Sequence, residues 1–304
     1  MNNIISYYYG FNNVKVYRLN DKYYFNYNND IYFFLNIMMP LNIIDNVKKI
    51  YSELISKNIF TNKIVLNTQG QMITMLNNES YVLVKDETNG KKISINDILF
   101  LQNNTFNILN NRDNISTKWI NLWSQKIDNY EFQFKEISGK YKLLSESIYY
   151  YIGLGENAIS YLVNNKISIN SSVVSHRRID CFMNSFDFYN PINYILDSRV
   201  RDFSEYIKSM FFHEDISFNS IMNYLNYLNF NREEYILFIS RLLFPTYFFD
   251  IYDDIVGNGS SEETIKKILN KNDDYISFLK NIFYFIIYTK RVNIPVIEWI
   301  INYC

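Results

Sequence analysis

The run Ser175-His176-Arg177-Arg178-Ile179-Asp180-Cys181-Phe182-Met183-Asn184 gathers a histidine, two guanidiniums, a carboxylate and a carboxamide in one short stretch. Loops that transfer a phosphoryl group follow the pattern His-x-Asp-x-x-x-x-Asn, in which the aspartate accepts the hydroxyl proton and the asparagine holds a metal ion. His176 fits that pattern, but Arg178 stands at the aspartate's position and Met183 at the asparagine's. An arginine stays protonated at any working pH and cannot act as a general base. Asp180 and Asn184 lie close by, four positions apart rather than five. A rescued loop built on them would misplace its base, and misplaced groups lose rate steeply.

The remaining parts of such a site can be sought in the same way. A turn that lets backbone approach phosphates is usually rich in glycine. The first hairpin turn here is Asn20-Asp21, with no glycine between Gly10 and Gly70, and its carboxylate has the wrong charge for a phosphate. A lysine on the third strand should hold the α and β phosphates, yet Ile31–Ile37 has none, and Lys22 lies one strand earlier. Glu53, its possible ion-pair partner, is expected to be a solvated helix residue facing Lys49. A second metal-binding aspartate is matched by Asp197, but one carboxylate rarely holds Mg²⁺ without phosphate and further ligands. The favoured expectation is an ion pair with Arg177, Arg178, Arg199 or Arg201. Asp202 is then expected to cap the following helix. Three of four catalytic parts are missing together.

These residues need elements to carry them. Val14–Leu19, Lys22–Tyr27 and Ile31–Ile37 read as strands parted by Asn and Asp turns. A helix follows over about Ile43–Lys57, then strand-like runs over Lys63–Leu66, Gln71–Leu76 and Tyr81–Lys85. The polar stretch Asp86-Glu87-Thr88-Asn89-Gly90 is the best hinge candidate. Beyond it, helical periodicity marks Ile95–Leu101, Thr117–Ile137, Leu143–Asn165, Asp202–Phe212, Ser217–Leu228, Arg232–Ile255, Ser261–Leu269 and Asp274–Tyr288, with a short β-like piece at Asn193–Leu196. The expected organisation is α+β and two-lobed: a small β-rich N-lobe over 1–88 and a large helical C-lobe over 89–304. That is the layout of kinases, although element order alone decides little.

Composition bounds the functions. Thirty basic and 31 acidic residues leave a net charge of -1, with no basic excess to grip nucleic acid. The 28 Tyr and 24 Phe, with many Asn and Ile, read first as the mark of an AT-rich genome. Cys181 and Cys304 form neither a disulfide framework nor a zinc motif, so a reducing, intracellular compartment is expected. No secretory signal is visible in Met1–Gly10, and the apolar run Ile282–Tyr288 falls far short of the ~20 residues of a membrane span.

Other residues have mainly structural readings. Trp119 and Trp123 share a helical face and are expected to pack. Tyr149-Tyr150-Tyr151 should straddle core and surface. Gly153 and Gly155 suggest close helix approach. His213 at a helix end suits the dipole. Pro245 should kink a long helix in which Arg241 points inward to a carboxylate.

Two segments carry a family resemblance: Ser147-Ile-Tyr-Tyr-Tyr-Ile-Gly-Leu-Gly-Glu156-Asn157-Ala158-Ile-Ser-Tyr-Leu162, and Ser175-His176-Arg177-Arg178 with Leu196-Asp197-Ser-Arg-Val-Arg201-Asp202-Phe-Ser-Glu205. Trp119-Ile-Asn-Leu-Trp123, Arg241-Leu-Leu-Phe-Pro245 and Ile294-Pro295-Val-Ile-Glu298-Trp299 agree. Together they resemble the YutH-type spore coat proteins of the CotS group, over about Lys118 to the end. The resemblance implies a protein kinase-like fold of the aminoglycoside and choline phosphotransferase type. It further implies a coat-associated protein without catalysis, made in the mother-cell cytoplasm and then carried to the spore coat. Its partners would be other spore coat proteins, with no cofactor and no metal. An ATP-dependent small-molecule phosphotransferase with an atypical loop, using Mg-ATP, and a regulator that binds nucleotide without turnover stay open as alternatives.

Overall fold

The computed structural model describes residues 1–19, 22–88, 90–109, 114–137, 139–213 and 218–303. In chain order the elements are α1 (Asn2–Tyr9), β1 (Tyr17–Leu19), β2 (Lys22–Tyr27), β3 (Asp30–Asn36), α2 (Leu41–Ser56), β4 (Lys63–Val65), β5 (Thr74–Leu76), β6 (Glu79–Lys85), α3 (Ile95–Asn104), α4 (Ile115–Ile137), α5 (Lys142–Asn165), β7 (Val173–His176), α6 (Ser185–Phe188), β8 (Tyr194–Asp197), α7 (Val200–Phe212), α8 (Phe218–Leu225), α9 (Arg232–Leu243), α10 (Thr246–Asn258), α11 (Lys266–Leu269), α12 (Asn272–Tyr284) and α13 (Glu298–Ile301). The turn Asn20-Asp21, the hinge residue Asn89, the predicted helix start at Ser217 and the cysteine Cys304 lie outside the described residues.

Two compact units form: Met1–Leu109 with Val173–Leu196, and the described residues of 110–172 with 197–304. The first unit includes α3 and the chain around the loop as well as the first 88 residues. Thr105 Oγ1 accepts from the Val174 amide at 3.0 Å, and Lys92 bridges to Asn184.

In the first unit, an antiparallel sheet runs β1-β2-β3-β6-β4, with β5 also paired to β6. Two tight hairpins set its register. Asn28 and Asn29 (φ 50° and 68°) join β2 to β3, and Asn77 and Asn78 (φ 49° and 68°) join β5 to β6. A two-residue turn with positive φ at both positions matches the strand twist, and asparagine tolerates that backbone better than most residues.

Strand alternation divides the core into two layers. Phe25, Tyr32, Phe34, Tyr81 and Leu83 point to one face, where Ile5 of α1 is fully buried among them. Leu35, Val82 and Val84 point to the other, against Ile44 and Val47 of α2, Ile64, Phe186 and Ile192. Helix α1 is absent from the sequence reading, which sees no element before Val14. So short a helix is marginal alone and owes its stability to tertiary packing. Here Tyr9 Oη lies 2.9 Å from Thr74 Oγ1, and the Thr68 amide donates to the Tyr8 carbonyl at 2.7 Å.

In the second unit, α5 packs between α4 and α9. A Cβ on Gly155 would sit 2.5 Å from Ile127 Cδ1 of α4, so this glycine permits the close approach. Gly153 has open space around it, and the contact expected there is absent. Ser240 Oγ of α9 donates to the Ala158 carbonyl at 2.6 Å. The single helix predicted over Arg232–Ile255 is two helices, because Pro245 breaks it rather than kinking it. The carbonyls orphaned at the break find buried donors: Lys208 Nζ reaches the Arg241 carbonyl at 2.9 Å and Phe244 at 3.3 Å, and Tyr275 Oη reaches Leu242 at 2.7 Å. The helix predicted to run to Tyr288 ends at Tyr284 and continues as a π-helical turn, Phe285–Thr289. Among the described residues, no helix is long and apolar enough to cross a membrane.

The two glycines of α5 should respond oppositely in urea denaturation. Gly153→Ala should gain about 0.5–1 kcal/mol from helix propensity. Gly155→Val should lose about 1–3 kcal/mol by overpacking against Ile127.

Candidate functional site

In the first unit the loop after β7 is held by its own side chains. His176 is fully buried, and its Nε2–H donates to the Phe188 carbonyl at 2.7 Å while the ring packs on Phe188. The Arg177 amide donates to the Asn193 carbonyl at 2.9 Å, and burial pushes its guanidinium below the usual range. Arg178 is exposed. Asp180 accepts from the Phe182 amide at 2.7 Å, closing a turn that the Met183 amide joins by donating to the Asp180 carbonyl. Asn184 caps α6: its Oδ1 accepts from the Asp187 amide at 2.8 Å, and its Nδ2 donates to Asp187 Oδ2 at 3.0 Å. Asp180 and Asn184 thus serve a turn and a cap, each within its own local segment.

Lys22 is tied to this segment, 2.5 Å from Asp187 Oδ1. On β3, where a phosphate-binding lysine is absent, Phe33 packs against Phe186 with ring centres 4.0 Å apart. Glu53 pairs with Lys57 at 3.5 Å; the partner expected, Lys49, lies on the same helix in the other direction.

Asn62, which the sequence does not single out, is the buried polar centre of this unit. Its amide donates to the Tyr189 carbonyl (2.9 Å), its Nδ2 to the Phe186 carbonyl (2.9 Å), and its Oδ1 accepts from the Glu87 amide (2.9 Å). The other amides of the Asp86–Thr88 stretch are also engaged: Asp86 with the Ile31 carbonyl and Thr88 with Asp86 Oδ1. A lone asparagine between Thr61 and Lys63 carries no pattern from which this role could be read.

The second unit buries a charge cluster around Asp197, which is 1% exposed. Trp119 Nε1–H donates to both carboxylate oxygens, at 3.1 and 3.0 Å, and the Ser198 amide donates to Oδ1 at 2.7 Å. Arg201 Nη1 lies 3.5 Å and Arg241 Nη2 3.6 Å from Oδ2. Both guanidiniums also lie over the Trp119 ring, at 4.8 and 4.1 Å, where the π-face attracts cations. Of the arginines expected to pair with Asp197, Arg201 does so. Arg199 instead makes a two-pronged pair with Glu234, both contacts at 2.6 Å. Arg241 was expected to find some carboxylate, and it finds Asp197 and Glu205. Trp119 does more than pack, since its indole N–H is spent on a carboxylate 78 positions away. Asp202 is not a cap. Helix α7 starts at Val200 after Arg199, and Asp202 lies fully buried in its first turn, where a carboxylate favours the dipole.

Glu205 extends the cluster, 3.0 Å from Lys208 and 3.4 Å from Arg241. Burial raises its pKa, but the charges of Lys208, Arg241 and Arg201 outweigh this and hold it below the ordinary 4.5. Burial likewise lowers Lys208, and brings Arg241 down to about 10.

Removing one member should expose the charge of the other. Arg241→Met should cost about 3–5 kcal/mol in chemical denaturation, and adding Asp197→Asn should recover part of it. Glu205 binds its proton at lower pH in the folded chain than in the unfolded one, so its contribution is present above about pH 4.5 and lost as pH falls through the folded value. The Tm of Glu205→Gln should therefore fall less steeply below pH 4.5 than that of the unmodified chain.

The profile of the family described as "Spore coat putative kinase YutH" matches residues 2–282. The Endospore coat-associated protein YutH of Bacillus subtilis (strain 168) is 28% identical over 207 residues, covering 60% of this chain and 61% of that protein. The match thus spans less than two thirds of that relative's length. An aminoglycoside phosphotransferase from Alicyclobacillus acidocaldarius superposes with a TM-score of 0.59 at 7% identity, covering 88% of this chain and 91% of that one. A spectinomycin phosphotransferase in complex with ADP and spectinomycin gives 0.59 at 11% identity, covering 93% and 96%. At such identities the likeness establishes the fold, and it agrees with the fold that the sequence motifs imply. The chain belongs to the YutH family of spore coat proteins and has an aminoglycoside phosphotransferase-like kinase fold.

Proposed function

We propose that this chain is an endospore coat-associated protein that uses a kinase-like fold as a structural or interaction module, without phosphoryl transfer. The observation that carries this reading is the state of Asp197. Its carboxylate faces an indole N–H, a backbone N–H and two guanidiniums. A magnesium ion takes near-octahedral oxygen ligands. At Asp197 it would have to displace these donors and sit beside two fixed positive charges, so the residues present do not fit the metal. The loop supports the same reading. Arg178 replaces the proton acceptor, Met183 replaces the asparagine, and Asp180 and Asn184 are committed to local turns.

Interaction is supported by aromatic side chains at the surface. Tyr149 and Tyr150 are 63% and 44% exposed, whereas Tyr151 is buried. Exposed tyrosines supply rigid contact area of the kind enriched at protein interfaces. By this reading the partners are other spore coat proteins, reached after synthesis in the mother-cell cytoplasm, and no nucleotide cofactor is required.

A thermal-shift titration with Mg-ATP tests the reading. A ligand at a hundred times its Kd would add about 2.7 kcal/mol of stability. The expected result is no saturable shift and no phosphate release. A saturable shift with turnover would establish the atypical phosphotransferase instead, and a shift without turnover the nucleotide-binding regulator.

A further inference from the structure

We propose that Phe186 fills the slot of the first unit in which a kinase-like protein would seat a purine base, so that the chain plugs its own nucleotide site. This rests on the reading above and adds what replaces the ligand.

A nucleotide would lie on the face that α2 also lines with Ile44 and Val47. Helix α1 covers the other with Ile5, and Phe25, Phe34 and Leu83 are fully buried beneath it. On the remaining face, β3 carries no lysine to hold a phosphate and presents Phe33 instead. A flat aromatic base needs apolar surface above and below and backbone donors at its edge. Each of these is already in use. Phe186, 4% exposed, lies against Phe33 among Leu35, Val82 and Val84, and Lys22 Nζ sits 5.4 Å from its ring centre. The amides of Asp86, Glu87 and Thr88 donate to the Ile31 carbonyl, Asn62 Oδ1 and Asp86 Oδ1. Beside α2, a cavity on this face lined by Ile37, Ile44, Val82 and Ile192 measures about 10 Å³, room for one water.

The plug is fastened at both ends. Asn62 holds the Phe186 carbonyl, and Lys22 holds Asp187, the next residue. Asn184 caps the short helix that presents the ring. A side chain held covalently by the chain loses no translational freedom on entering the slot, so a free base competes with it at a disadvantage.

The test uses adenosine, which has neither phosphate nor any need of metal, and so separates this inference from the absence of turnover. In equilibrium dialysis at millimolar adenosine, the unmodified chain should show no saturable binding. Phe186→Ala should bind saturably, at least tenfold tighter than the unmodified chain's limit. Phe34→Ala removes the same side chain on the α1-covered face and should not bind. Circular dichroism identifies the folded variants, and if Phe186→Ala does not fold, the milder Phe186→Val carries the test with the same expected sign. Saturable binding by the unmodified chain, or a folded Phe186 variant that binds no better than Phe34→Ala, would overturn the plug. That second result, with Mg-ATP turnover still absent, would leave the non-catalytic reading standing.

Discussion

A carboxylate taken out of water must find compensating charge close by, and Asp197 sets that requirement for the second unit. Four elements answer it. The end of β8 supplies the carboxylate, α4 the indole of Trp119, α7 Arg201, and α9 Arg241. None of these groups can be removed alone without stranding another, which is why buried ion clusters resist piecemeal change. The same cluster continues through Glu205 to Lys208, whose ammonium satisfies the carbonyls freed where Pro245 ends α9. The helix break and the charge cluster are therefore one construction. A lysine buried at 3% exposure is tolerable only because four oxygens surround it.

In the first unit the sheet is lined by apolar layers on both faces, and neutral Asn62 and His176 are among its buried polar residues. Asn62 has one carbonyl oxygen and one amide to give, and both are used on backbone, as is its own N–H. A fully satisfied polar centre of this kind fixes one arrangement of the strands and loop around it. The histidine that opens the catalytic-type pattern has a similar duty, since its ring N–H is spent on the Phe188 carbonyl. A motif residue can thus serve the fold itself.

Both units commit buried polar groups inward. Asp197 is paired with two guanidiniums, and the amides of Asp86, Glu87 and Thr88 are bonded within the chain itself. Activity needs groups that are positioned yet unspent. On the proposed reading such rigidity serves a coat component, and exposed aromatic side chains include Tyr149 and Tyr288, the latter 73% exposed.

The sequence by itself determined what depends on residues near one another in the chain. Strand β2 falls on the residues predicted, the Asn28-Asn29 and Asn77-Asn78 turns form because asparagine tolerates positive φ, and α4 and α5 follow the apolar period. The substitutions Arg178 and Met183 were legible because a catalytic loop is a local pattern, and the resemblance carried by residues 147–162 and 175–202 gave the fold. What only the tertiary structure decided involves partners far apart in the chain: Trp119 with Asp197 across 78 positions, Asn62 with Phe186 across 124, and Lys22 with Asp187 across 165. Helix α1 belongs there too, since its formation waits on the sheet that buries it. Local propensity is written in neighbouring residues, whereas the choice of partner for a buried charge or amide is made only when the folded chain removes water and leaves one group within reach.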